Sequence, residues 1–338
     1  MILLSDCLSK RDDEGYAKIA KNIAERLSKK NNVNIVAVND DYSQADNVVR
    51  TKNGVVSLKL IPLIWRQNIL YLSPGSNSIG TAIKILFLSL FAKSVTTVFV
   101  QRIPMRFSVR FLLRMSRVKI VCMSKAICDF YKINSENKVV YIPVGIDKKI
   151  LESDKQSFNK SDIRKKYGIA DDDIVILHVG HMRKGRNVEK FFNLDSKYKK
   201  VLVTSSSTEH EYWLRDQYKD RKDITIIDEY IHNISELYYM CDLYFFPVVD
   251  ADFCIGIPMS VIEAAACNRP ILATRFGDLS YFDKIDGLDF FEPDDTDQEI
   301  TQKIESLLGL TSVKSIELVN GYDWEISVCK LEEIINER

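Results

Sequence analysis

The sequence has no apolar run long enough to span a bilayer: its most apolar stretch, residues 83–92, contains Lys84, is followed by Lys93, and falls well short of the roughly 20 residues a spanning helix needs. The opening Ile2-Leu3-Leu4 gives way to Asp6 without the apolar core of a secretory leader, so export is not expected. Paired cysteine spacing is also missing. Cys7, Cys122, Cys128, Cys241, Cys254, Cys267 and Cys329 are scattered, several of them in apolar runs where a reduced thiol packs as a small hydrophobe. This usage fits a reducing cytoplasm. His178, His181, His210 and His232 form no ligand spacing with those cysteines, so no metal set is expected. Low-complexity tracts are absent too, which excludes a disordered chain.

Acidic residues are lacking over one long interval. None occurs from Asn47 to Cys128, and residues 1–145 carry 22 Lys and Arg against 10 Asp and Glu, while residues 146–338 carry 25 against 37. The formal balance therefore hides a basic first half and an acidic second half, and the basic field attracts anionic partners. Arg102, Arg106, Arg110 and Arg114 recur every four residues, so a helix after Pro104 carries them as one stripe. Residues 84–119 thus suit an anionic membrane surface or a diphosphate-linked lipid, and equally a solvated face. Peripheral attachment to the inner face of the membrane is the matching expectation. Nucleic acid is not expected, since the arginines lack interleaved aromatics and no reading motif occurs.

A chain of 338 residues suits two domains of about 150 residues each. Apolar runs at 2–5, 33–38, 95–100, 118–123 and 139–142 alternate with helical patterns, such as Ile19, Ala20, Ile23, Ala24 and Leu27 within residues 16–30. The alternation predicts a parallel α/β sheet. Gly15 precedes that helix and lets backbone approach a ligand at the positive helix end; an ordinary helix-entry turn reads the same. A polar segment, 148–173, marks an interdomain connection. Strands then recur at 174–179, 200–204, 224–227, 243–246, 271–273 and 290–291, with helices at 234–241 and 260–267. Ligands of such sheets bind beyond the carboxyl ends of the strands.

Two segments carry chemistry. Val179-Gly180-His181-Met182-Arg183-Lys184-Gly185-Arg186-Asn187 follows a strand and can bring cations and amides to a phosphate; solvated surface is the other reading. Gly256-Ile257-Pro258-Met259-Ser260-Val261-Ile262-Glu263 opens an alanine-rich helix and offers amides near Met259 and Ser260 to an anion. Glu263 is placed in its first turn, where a carboxylate can accept two hydrogen bonds from a ribose diol. Ser260 to Glu263 is also a capping box, and the two readings stay open on the residues alone.

In this order the segments resemble the retaining glycosyltransferases of the GT-B fold. Tyr141-Ile142-Pro143-Val144-Gly145-Ile146-Asp147 is similar to that family's interdomain stretch, and Val179 to Gly185 to its phosphate loop. Residues 234–247 and Gly256 to Cys267 are similar to its later helix, strand and glutamate-bearing segment, and residues 322–337 to its final helix. The resemblance implies two facing Rossmann-like domains with an interdomain cleft: an acceptor-binding domain at 1–147, a nucleotide-sugar-binding domain at 148–320, and a helix at 321–338 that crosses back. It implies Arg183 and Lys184 as the catalytic cations, and Gly15, Gly256, Met259, Ser260 and Glu263 as donor-binding. It further implies a UDP- or GDP-linked sugar donor, a glycan or lipid-linked acceptor, and no separate cofactor or metal.

Departures from the family pattern are concentrated at a few positions. Ile255 stands where the family carries an earlier glutamate, with Asp252 as the nearest substitute; Gln101 replaces a histidine, and Gly277-Asp278 a double glycine. An inactive homologue serving as a scaffold, and a sugar-nucleotide epimerase, are the alternatives these departures leave.

Overall fold

The structure is a computed structural model that describes residues 1–8, 15–29, 33–39, 42–73, 78–101, 106–147, 149, 151–152, 158–204 and 211–337. The chain divides into two compact units: Met1–Gly145 with Ile255–Ile257 and Tyr322–Arg338, and Ile146–Cys254 with Pro258–Gly321. Each is built on one parallel sheet.

The first unit holds β1 (Ile2–Ser5), α1 (Gly15–Ser28), β2 (Asn34–Val38), β3 (Asn47–Val49), α2 (Ile61–Ile64), β4 (Asn68–Leu72), α3 (Ile79–Phe91), β5 (Ser94–Phe99), α4 (Phe107–Ser116), β6 (Lys119–Cys122), α5 (Lys125–Asn134) and β7 (Val139–Tyr141). The strands lie in the order β3-β2-β1-β4-β5-β6-β7, all parallel. Parallel strands are covered on both faces, so they read as nearly continuous apolar runs. Leu4, Val36, Ile69, Tyr71 and Ile120 accordingly share one core with Ala82, Ile85 and Leu88 of α3 and Val109 and Leu113 of α4.

Serine side chains start two of these helices. Ser78 accepts from the Thr81 amide at α3, and Ser124 from the Ile127 amide at α5, each satisfying an orphan donor of the first turn. The arginine-bearing helix starts later than the sequence implies: α4 begins at Phe107, with Arg106 as its N-cap, and Arg102 and Pro104 lie outside the described residues.

The second unit holds α6 (Lys160–Lys166), β8 (Ile174–Val179), α7 (Val188–Phe192), β9 (Tyr198–Val203), α8 (Tyr212–Tyr218), β10 (Ile224–Ile227), α9 (Ser235–Met240), β11 (Leu243–Phe246), α10 (Met259–Ala266), β12 (Ile271–Ala273), β13 (Leu288–Phe290) and α11 (Asp297–Leu308). Its strand order is β10-β9-β8-β11-β12-β13, again parallel throughout. The order reverses between β8 and β11, and a crevice opens beyond the strand ends at such a reversal. The last helix, α12 (Trp324–Asn336), packs in the first unit against α1, β4 and β5. Its placement there rests on Gly145, where an added Cβ would fall 2.3 Å from the Trp324 amide nitrogen, and on Ser327, which donates to the Pro143 carbonyl at 2.7 Å.

Candidate functional site

At the reversal in the second unit, β8 ends in Val179 and the chain turns through Gly180 into a 3-10 turn, Lys184–Arg186, capped by Arg183. Lys184 is exposed and its amide donates to Glu211 at 3.1 Å. Arg186 behaves differently: it is only 6% exposed, and its guanidinium lies over Gly180, with Nη2 2.5 Å from where a Cβ would stand. Nη1 donates to the Phe253 carbonyl at 3.1 Å, while Nε is buried without a partner. Phe253 also covers Gly185, whose missing side chain leaves room for the ring.

The other buried cations of this unit are compensated. Arg164 pairs with Asp242 at 2.7 Å and donates to the carbonyls of Asp171, Asp173 and Met240. Lys200 pairs with Asp223 at 2.6 Å and donates to the carbonyls of Leu194 and Asp195. Arg186 has no acidic partner among the described residues. A buried charge is costly unless paired, and among the described residues only the Phe253 carbonyl offsets this one.

Two residues inside the same strands face this region. His178 is fully buried and its Nδ1 lies 2.9 Å from the Phe245 carbonyl. A carbonyl only accepts, so Nδ1 carries the proton of the neutral ring, and Nε2 has no partner. Burial, reinforced by the charge of Arg186, pushes its pKa down to about 3, which keeps the ring neutral at physiological pH. Tyr244 of β11 reaches the Val179 carbonyl at 3.4 Å and hydrogen-bonds the Ser260 side chain. Burial drives its phenol upward while Arg186 and Glu263 act on it with opposite signs. Tyr244 therefore links the basic turn to α10.

Helix α10 starts at Met259 with Pro258 as its N-cap and no side-chain capping bond. The Val261 and Ile262 amides close on the Pro258 carbonyl, leaving those of Met259 and Ser260 at the positive helix end. The capping box expected at Ser260 to Glu263 does not form. Because Pro258 starts the helix early, Glu263 is the fifth helical residue and lies beyond the first turn. It is 6% exposed and accepts a hydrogen bond from Tyr238 at 2.9 Å. Burial first, and then the charge of Glu263, raise the Tyr238 phenol well above its ordinary range, so Tyr238 stays a donor.

Gly15 and Gly256 belong to the first unit and serve close packing. A Cβ on Gly15 would meet Ile255 at 3.0 Å, and one on Gly256 would meet Ile127 at 2.4 Å and the Ser124 hydroxyl at 2.5 Å. The Gly256 amide donates to the Val100 carbonyl at 2.9 Å. Among the described residues no group of three or more His, Cys, Asp or Glu could hold a metal ion. The roles of Tyr238, Tyr244 and Phe253 escape sequence reading; the only available signal is a tyrosine within the otherwise apolar strand 243–246, whose buried hydroxyl needs a partner.

Residues 173–309 match the family model described as Glycosyl transferases group 1. A search of curated proteins finds no match. Among solved structures, the chain is similar to a glycosyltransferase from Rickettsia africae, with TM-score 0.77, 16% identity and coverage of 99% of this chain and 97% of that one. It is similar to HepE of Anabaena, solved with UDP, with TM-score 0.74, 14% identity and coverage of 99% of both chains. It is also similar to WaaG, a glycosyltransferase involved in lipopolysaccharide biosynthesis, with TM-score 0.69, 13% identity and full coverage of both chains. Two parallel-sheet Rossmann-like α/β units are the architecture shared with these structures.

Proposed function

Because residues 173–309 match the family model described as Glycosyl transferases group 1, within a chain of GT-B architecture, we propose that this protein transfers a sugar from a nucleotide-sugar donor to a hydroxyl of a glycan or lipid-linked acceptor. The observation that carries the reading is the pairing, through Tyr244, of a buried guanidinium that lacks an acidic partner among the described residues with an open helix N-terminus. Both devices favour an anion. In this reading Arg183 and Lys184 contact the donor diphosphate, Arg186 neutralises it from below, and the Met259 and Ser260 amides complete its cradle. Glu263 receives the ribose hydroxyls. Gly15 and Gly256 keep their places as donor-binding backbone in this reading, in positions where a side chain has little room.

Transfer breaks the bond between the anomeric carbon and the diphosphate oxygen and forms one to the acceptor oxygen on the same face, which retains configuration. The acceptor proton passes to the leaving diphosphate, where charge accumulates and the cations act. Anabaena HepE, solved with UDP and UDP-glucose, supports a uridine-linked donor. The role of WaaG supports cell-surface polysaccharide or glycoconjugate synthesis on the cytoplasmic side of the membrane. A second reading, a homologue that binds without transferring, is favoured by Ile255, which places a hydrocarbon side chain over Gly15 where the resembling family carries a glutamate.

Thermal shift with UDP, GDP, ADP and their sugars tests the first reading, joined by release of nucleoside diphosphate from the stabilising donor. Stabilisation by one nucleotide, weakened in Glu263→Gln, together with slow donor hydrolysis, is the expected result. Stabilisation without hydrolysis or transfer selects the second reading, conversion of the donor sugar without release selects an epimerase, and no nucleotide binding at all rejects the site.

A further inference from the structure

Helices α3 and α4 join successive parallel strands of the first unit, so both run antiparallel to the sheet and parallel to each other, and they pack side by side. Their inner faces are accounted for by Ala82, Ile85 and Leu88, and by Val109 and Leu113. Their outer faces are apolar as well. On α3, Ile79, Ile83, Leu86 and Leu90 follow the spacing of one helical stripe; three of them are exposed, Leu90 by 69%, and Leu86 is partly so. On α4, Phe107, Phe111 and Met115 recur every four residues and are 84%, 52% and 56% exposed, with the two phenylalanine rings stacked 6.5 Å apart. An outward stripe of this kind is the reverse of what a helix facing water carries.

Cations flank the stripe. Arg106, Arg110 and Arg114 each precede one of the exposed apolar residues of α4 by one position and are exposed, as is Arg117. One residue apart on a helix is about 100°, so the arginines form a ridge beside the aromatic one. Glu136 is the acid facing them, 3.0 Å from Arg114 and 3.9 Å from Arg110, and one carboxylate cannot balance this ridge. Lys84 does not belong to the surface, because it pairs inward with Asp6 at 2.6 Å; Lys119 is likewise taken, donating to the carbonyls of Ile334 and Glu337 at 2.8 Å. What remains is an aromatic and aliphatic ridge beside guanidinium groups on a unit that lacks acids from residue 47 to 128. No helix of the described residues is long and apolar enough to cross a membrane.

We propose that the outer face of α3 and α4 docks onto an anionic lipid bilayer, with Phe107, Phe111, Met115 and Leu90 entering the acyl boundary and Arg106, Arg110 and Arg114 meeting headgroup phosphates. Both halves of the surface are required: the apolar ridge alone fits a protein partner, and the cations alone fit water, whereas the combination has the amphipathic chemistry of a bilayer interface. The inference deepens the lipid-linked acceptor reading but is measured without donor or acceptor.

The test is flotation of the full chain with vesicles of phosphatidylcholine alone and of phosphatidylcholine with a quarter phosphatidylglycerol, for the wild type, Phe107→Ser/Phe111→Ser and Arg106→Gln/Arg110→Gln. All substituted positions are exposed, and circular dichroism verifies the fold. Wild-type protein is expected to float with the anionic vesicles, and each double variant to partition about tenfold more weakly or worse. The proposal is overturned by absence of flotation, by equal partition onto neutral vesicles, or by variants that bind like wild type. A wild-type dimer in gel filtration that the phenylalanine variant converts to monomer, without vesicle binding, assigns the face to a second copy and also overturns it. Loss of nucleotide binding would reject the donor site and leave this result standing.

Discussion

The Arg186 guanidinium lies over Gly180, with Nη2 2.5 Å from the position a Cβ would occupy, and it is held by one carbonyl, that of Phe253. A buried cation with so few partners costs folding energy, and in the proposed donor site an anion would restore it. Arg186→Met should therefore leave the ligand-free protein as stable as wild type or more so. Its affinity for UDP should fall by roughly tenfold to a hundredfold, the span of about 1.5–3 kcal/mol for a hydrogen bond to a charged group. Calorimetry with UDP and with uridine separates the terms: uridine should bind both proteins alike. A large loss of ligand-free stability, with UDP affinity retained, would make Arg186 a structural residue.

Tyr238 is the donor that holds Glu263 at 2.9 Å inside the second unit. Removing its hydroxyl takes one donor from a buried carboxylate, which costs about 1–3 kcal/mol. Tyr238→Phe should lower the denaturation midpoint accordingly and weaken nucleotide binding, since the carboxylate gains freedom to turn. Glu263→Gln keeps an oxygen that accepts from Tyr238 and should be milder in stability while still impairing ribose recognition. Equal effects of both variants on stability, with unchanged binding, would confine Glu263 to packing.

The parallel sheets and the strand-loop-helix segments around residues 180 and 259 are legible in the sequence, because apolar runs punctuated by Gly and Pro encode them locally. β4 is not: Asn68–Leu72 follows the apolar 61–64 segment, and short apolar runs do not distinguish strand from helix. The capping box at Ser260 fails for a similar reason, since the local pattern permits two helix starts and Pro258 selects the earlier one. Arg186 is illegible in a different way. Its burial depends on Phe253, 67 residues away, and its lack of an acid partner among the described residues is a matter of three-dimensional placement.

Gly145 and Gly256 both sit where a side chain has no room, but what surrounds them differs. At Gly145 a Cβ would strike the backbone of Trp324 at 2.3–2.4 Å, and at Gly256 it would strike the side chains of Ile127 and Ser124. Backbone yields less than side chains, so Gly145→Ala should destabilise more than Gly256→Ala, with overpacking costs of about 1–3 kcal/mol as the scale. Urea denaturation of the two variants, followed by circular dichroism, measures the order. The reverse order would show that the start of α12 can shift without loss.

His178 gives the protein a definite response to acid. Its folded-state pKa is about 3, against about 6.5 in an unfolded chain, so as pH falls below 6.5 the unfolded state takes up a proton that the native state refuses. Stability is fully present above pH 6.5 and declines toward pH 3, with a limiting slope of about 1.4 kcal/mol per pH unit. Carboxylates add their own titration near the lower end, so the window from pH 6.5 to 5 isolates the histidine. His178→Gln can still donate to the Phe245 carbonyl but cannot be protonated, and its urea midpoint should change less with pH across that window. Parallel midpoint curves for wild type and variant would mean that the native protein accommodates a protonated His178, which is incompatible with a fully buried ring packed among Phe191, Tyr244 and Phe246.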